Sequence, residues 1–199
     1  MKIPRTAEKP QDAPIFFGLD VMMRNAGIVG IDVNGDKVIA ETWDCPYKGI
    51  ARVNFYYETF LDLISKFPSA YYGIEDYAYG KGGSNSRSTF SIGEITGTYK
   101  LHLYRSRLPL YIFGIGQIKK FFVGKGNCGK DMVVDQALTM VSFIPTPQNK
   151  TQLNKVSHLA DAYAISLMTR YYTCGGTSNL DSKQIRWLGE HNARDFEIR

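Results

Sequence analysis

Cysteine is scarce in this chain: Cys45, Cys128 and Cys174 are odd in number, far apart, and form no Cys-x-x-Cys pair. That excludes a disulfide framework and a zinc knuckle, and a reducing, intracellular setting is expected. Long apolar runs are missing too, with no stretch of membrane-spanning length. Residues 1–14 are polar and lack the apolar segment of a signal peptide, so the expectation is a soluble, cytoplasmic protein with no membrane partner. Internal repeats are absent as well.

What is present is enough apolar material for a core. With 199 residues and 44% hydrophobic content, the chain reads as one domain over residues 15–173, between a flexible N-terminal tail, 1–14, and a C-terminal tail, 174–199. A formal charge of +5 favours an anionic partner, although surface charge of this size also serves solubility.

Residues 15–21, 26–33 and 37–44 read as three strands, with Val33-Asn34-Gly35-Asp36 supplying a hairpin turn. A helix over 51–66 follows, carrying Val53, Tyr56, Tyr57, Phe60, Leu61 and Ile64 at helical spacing, and then a strand over 70–75. Beyond the polar loop 80–87 come a helix over 88–106, a strand over 109–115, and helices near 129–142 and over 156–172. The fold class is therefore α/β, a mixed five-stranded sheet of three antiparallel strands and then alternating helix and strand, flanked by helices.

Two acids close short apolar strands: Asp20 follows Ile15-Phe16-Phe17-Gly18-Leu19, and Glu75 follows Tyr71-Tyr72-Gly73-Ile74. His158 and Asp161 stand three apart in a helical segment, which puts them on one face. Singly, each has a plain reading: Asp20 capping a turn, Glu75 paired with a lysine, His158 as a polar residue of a helix start. Together they suit hard divalent cations, which take carboxylate oxygens, and so a two-metal phosphodiesterase.

This order of elements and acids resembles the RNase H-like nucleases and, within them, the RuvC family of Holliday junction resolvases, over residues 15 to about 172. Gly18-Leu19-Asp20 with Arg24-Asn25-Ala26-Gly27 is similar to the family's first motif, and Ile74-Glu75-Asp76-Tyr77 to its second acidic motif. Ile92-Gly93-Glu94-Ile95-Thr96-Gly97 resembles its glycine-rich helix. Ile118 to Gly126, through Lys130, resembles its basic loop, and His158-Leu159-Ala160-Asp161-Ala162 its closing acidic helix, with His158 in place of the first acid.

The resemblance implies that Asp20, Glu75, His158 and Asp161 hold two Mg²⁺ or Mn²⁺ ions about 3.5–4 Å apart, with His158 either a ligand or the group that activates water. Lys130 is then a catalytic cation near the scissile phosphate. Lys119, Lys120 and Lys125 are phosphate contacts, and Tyr77, Tyr79 and Arg87 belong to the loop that meets the junction crossover. The implied reaction is paired, symmetric hydrolysis of a four-way DNA junction, leaving 5′-phosphate and 3′-hydroxyl ends, by a C2 homodimer. The helix over 88–106, with Ile92, Ile95, Tyr99 and Leu103, is the candidate interface, unless that stripe covers the sheet.

The same fold and metal site also serve an RNase H acting on an RNA/DNA hybrid and broader flap or branched-DNA nucleases, and the fold persists in binders without chemistry. A nucleotide-binding domain of the actin and sugar-kinase type would carry glycine and threonine after the first Asp. Met22-Met23-Arg24-Asn25 stands there instead, so no nucleotide cofactor is expected.

Overall fold

The computed structural model describes residues 13–76 and 86–175, together with residues 180, 182 and 184. Five strands, β1 (Phe16–Val21), β2 (Asn25–Ile31), β3 (Lys37–Asp44), β4 (Tyr71–Glu75) and β5 (Leu110–Phe113), form one sheet in the order β3-β2-β1-β4-β5. The first three pair antiparallel, whereas β4 runs parallel to β1 and β5 parallel to β4. This is the mixed RNase H-like sheet expected from the sequence. The helices are α1 (Ile50–Lys66), α2 (Ser86–Arg105), α3 (Ile115–Val123), α4 (Lys130–Met140) and α5 (Lys150–Cys174).

Strand periodicity divides the core into two layers. Phe17, Leu19 and Val21 of β1, with Tyr72 and Ile74 of β4, pack with Tyr56, Phe60 and Leu63 of α1 and Ile95, Tyr99 and Leu103 of α2. Phe16 and the apolar residues of α3, α4 and α5 fill the opposite layer. Asp20 is in step with Phe16 and Gly18, and Glu75 with Tyr71 and Gly73, so the two-residue period aims both acids at the α5 side.

Each acid is preceded two residues earlier by a glycine that admits α5. A Cβ on Gly18 would stand 2.0 Å from the Ala162 carbonyl oxygen, and one on Gly73 would stand 2.0 Å from Thr169 Oγ1. Only a bare backbone lets the helix lie this close. Thirteen α5 side chains are buried between Val156 and Arg170, five of them polar or charged, so this stretch of the helix is packed on nearly every side.

Three local readings change. The stretch Ile118–Val123, read as part of a basic loop, is helical: α3 buries Ile118, Phe121 and Phe122 at i, i+3 and i+4, and only residues 124–129 form the loop before α4. Its start at Ile115 ends β5 at Phe113, two residues before the expected limit. Helix α5 starts at Lys150 rather than 156, because the Asn149 side chain accepts from Gln152 N at 2.9 Å and Gln152 Oε1 accepts from Gln148 N at 2.7 Å. Of the proposed interface stripe on α2, Ile95, Tyr99 and Leu103 are fully buried, and the Tyr99 ring stacks on Phe60 with centroids 4.0 Å apart. That stripe covers the sheet. Among the described residues no helix is long and apolar enough to cross a membrane.

Candidate active site

Beside the carboxyl ends of β1 and β4, the first residues of α2 and α3, the start of α4 and one face of α5 enclose a pocket of about 260 Å³. Asp20, Glu75, His158 and Asp161 all line it, and so do Lys119 of α3 and Lys130 of α4. Six residues that the sequence nominated from five separate elements therefore meet at one place.

Asp20 and His158 are almost fully buried, and His158 Nδ1 stands 2.7 Å from Asp20 Oδ2. Opposite a carboxylate the ring nitrogen donates, so Nδ1 carries a proton and, whenever the ring is neutral, Nε2 keeps its lone pair. Glu75 is pushed up to about 9, first by burial and then by the charges of Asp20 and Asp161, against the pull of Lys119. Asp161 is pushed up to about 7, again by burial first and then by Asp20, while His158, Lys119 and Lys130 oppose the shift. The pocket is short of positive charge.

Among the described residues no three His, Cys, Asp or Glu side chains are grouped closely enough to hold an ion as they stand. The donor chemistry nonetheless fits divalent cations: four carboxylates, Asp20, Glu75, Asp76 and Asp161, line one pocket, and Glu75 and Asp161 are raised by burial and then by neighbouring negative charge, which a cation relieves.

Lys119 is held in place, its Nζ donating to the Cys128 carbonyl at 3.0 Å, which ties α3 to the loop that delivers Lys130. Lys120 and Lys125 are exposed and do not line the pocket. Tyr77 and Tyr79 lie outside the described residues, as does the side chain of Arg87.

The sequence reading missed the apolar part of the wall, which includes Met22, Ile92 and Ile115. These three come from a turn and two helices and bear no chemical signature that would single them out. Asp76, directly after Glu75, also lines the pocket and stands 3.8 Å from Lys100. Its place next to a motif acid was the available signal.

No family model matches the chain. It is similar to the crossover junction endodeoxyribonuclease RuvC of Thermus thermophilus, 23% identical over 127 residues that cover 64% of this chain and 70% of the relative. Against the RuvC of Pelotomaculum thermopropionicum the identity is 23% over 125 residues, covering 61% and 69%. Among solved structures, T. thermophilus RuvC in complex with a Holliday junction substrate superposes with a TM-score of 0.63 at 21% identity, over 82% of this chain and 96% of that one. Another T. thermophilus RuvC structure gives 0.60 at 20% identity, over 81% and 97%.

Proposed function

We propose that this chain, RuvC-like in sequence and in fold, is a divalent-metal-dependent endodeoxyribonuclease that resolves four-way DNA junctions by paired, symmetric cuts. The observation that carries the reading is the convergence of Asp20, Glu75, His158, Asp161, Lys119 and Lys130 on one pocket. The relative whose structure was solved with a Holliday junction supports the choice of substrate.

Asp20, Glu75 and Asp161 are the residues that would hold Mg²⁺ or Mn²⁺. Cations bound there supply Lewis-acid polarisation of the scissile phosphate and neutralise the carboxylates. His158, oriented through Nδ1 by Asp20, offers Nε2 to take a proton from the attacking water. Lys130 faces the charge that develops on the phosphate, and Lys119, fixed by the Cys128 carbonyl, holds a second positive charge beside Glu75 and Asp161. Attack at phosphorus with departure of the 3′ oxygen leaves 5′-phosphate and 3′-hydroxyl ends.

Two opposed cuts need two sites, and we assign the protein a C2 homodimer. The buried stripe of α2 leaves its opposite face free for this contact. Phe90 is 73% exposed, Leu101 49% and Tyr104 69%, and a Cβ on Gly97 would meet nothing within 4 Å. These four positions repeat at intervals of seven, four and three, a single outward line on the helix.

The test offers the protein a labelled four-way junction, a linear duplex, a flap and an RNA/DNA hybrid, with Mg²⁺, Mn²⁺ or chelator, alongside Asp20→Asn. The expected outcome is paired nicks in the junction that chelator and Asp20→Asn abolish, with junction binding kept by the variant. Cutting of the hybrid alone would reassign the chain to RNase H chemistry. Cutting of every branched DNA would make it a debranching nuclease, and no cutting with any metal would leave a binding protein.

A further inference from the structure

Two loops are bound together next to the pocket. The turn from β1 to β2 closes with Met22 N donating to the Asn25 carbonyl at 3.1 Å, and Met22 itself lines the pocket. The connection from β3 to α1 lies alongside, because Cys45 N donates to the Arg24 carbonyl at 2.7 Å and Asn25 Nδ2 donates to Asp44 Oδ1. Arg24 and Lys48 are exposed on these loops. Arg52, in the first turn of α1, donates from Nε to the Tyr47 carbonyl at 3.3 Å, which holds the loop and the helix start together.

The charge of this surface is one-sided. Within residues 22–25 and 44–52 the only acid is Asp44, and its carboxylate is occupied by Asn25 and by Lys155 Nζ at 2.8 Å. Arg24, Lys48 and Arg52 are left as cations, with Tyr47 53% exposed and Ile50 81% exposed among them. None of these five lines the catalytic pocket. An acidic protein segment would also suit three cations and a tyrosine, but continuity with the pocket favours DNA. A duplex held at the pocket carries one phosphate charge about every 1.7 Å of its axis, and it continues past the pocket's edge.

We propose that Arg24, Lys48 and Arg52, with Tyr47 lying against the sugars, form an arm-binding surface that takes the phosphate backbone of the duplex leading out of the catalytic pocket. The inference rests on the nuclease reading and adds to it a binding surface separate from the chemistry.

The experiment measures binding of the full chain, in chelator so that nothing is cut, to a labelled four-way junction and to a linear duplex of the same arm sequence over a range of salt. Wild type is compared with the double variant Arg24→Ala/Lys48→Ala and with Lys48→Glu. These side chains are exposed, and retained circular dichroism shows that the variants fold. In the double variant the slope of log affinity against log salt should shrink by about 2, and affinity should fall about tenfold or more, because each phosphate contact contributes about 0.9 to the slope. The loss should be the same on both substrates, since backbone contacts carry no information about the branch.

Unchanged affinity and slope in the variants, with wild type binding normally, would overturn the arm surface alone. A loss confined to the junction would overturn it as well, by making the patch a reader of the branch. Failure of wild type to bind any DNA would remove the nuclease reading together with this one.

Discussion

A carboxylate held partly out of water beside other negative charge is costly to ionise, and Glu75 and Asp161 are in that position. For a carboxyl whose folded pKa is raised, the contribution to stability is full below the unfolded value and is lost as pH climbs through the folded one. For Asp161 the window runs from 3.8 to about 7, and for Glu75 from 4.5 to about 9. The metal-free protein should therefore melt at progressively lower temperature from pH 5 to pH 9. Divalent cation should reverse the trend, and most strongly at high pH, where both carboxylates are ionised. At a hundredfold excess over its dissociation constant one ion stabilises by about 2.7 kcal/mol, or roughly 5–10 °C at this chain length. Glu75→Gln should flatten the fall between pH 7 and 9 and weaken the response to Mg²⁺ or Mn²⁺. Thermal melts at three pH values, with ion or chelator, decide the matter. A melting temperature indifferent to both pH and ions would remove these groups from a metal site.

The depth of α5 against the sheet sets where His158 and Asp161 stand, and Gly18 permits that depth. Gly18→Ala puts a methyl 2.0 Å from the Ala162 carbonyl, and backbone cannot step aside as a flexible side chain can, so the helix must lift next to Asp161. Overpacking of this kind costs about 1–3 kcal/mol or more. Cleavage should drop about a hundredfold even at temperatures where the variant is folded, since a shift of about 1 Å is enough for that. Normal turnover by a folded Gly18→Ala would show that helix depth does not control the site. The Gly-x-acid pattern of β1 and β4 is also why so much was legible in the sequence: an apolar strand, a glycine and a terminal acid fix face, depth and site together. Helix α3 was not legible because its two lysines masked an apolar stripe only nine residues long, inside a segment bounded by glycines. The early start of α5 was readable in principle from Asn149 and Gln152, a capping pair at the right spacing. The role of the α2 stripe needed the structure, since covering a sheet and docking a partner demand the same apolar spacing.

A molecule that cuts two opposed strands must place two identical pockets about a twofold axis, and the outward line on α2 offers the contact. From Phe90 to Tyr104 it runs fourteen residues, about 21 Å of helix, long enough for two copies to pack α2 against α2 as an isologous pair. This helix also begins beside the candidate pocket, with Thr89 and Ile92 in its wall, so the proposed contact and the proposed chemistry share one rigid element. Leu101→Glu places a charge in the middle of the line, where the two helices would bring it against its own copy. The substitution should weaken self-association by at least about thirtyfold, the effect of a central contact worth 2 kcal/mol. Because Leu101 is 49% exposed and outside the core, the subunit should keep its melting temperature and its response to divalent ions. Sedimentation equilibrium should then find a dimer in the wild type and a monomer in the variant. On a four-way junction the variant should give isolated single nicks in place of paired ones. A variant that remains dimeric, or a wild type that is monomeric at micromolar concentration, would move the axis away from α2.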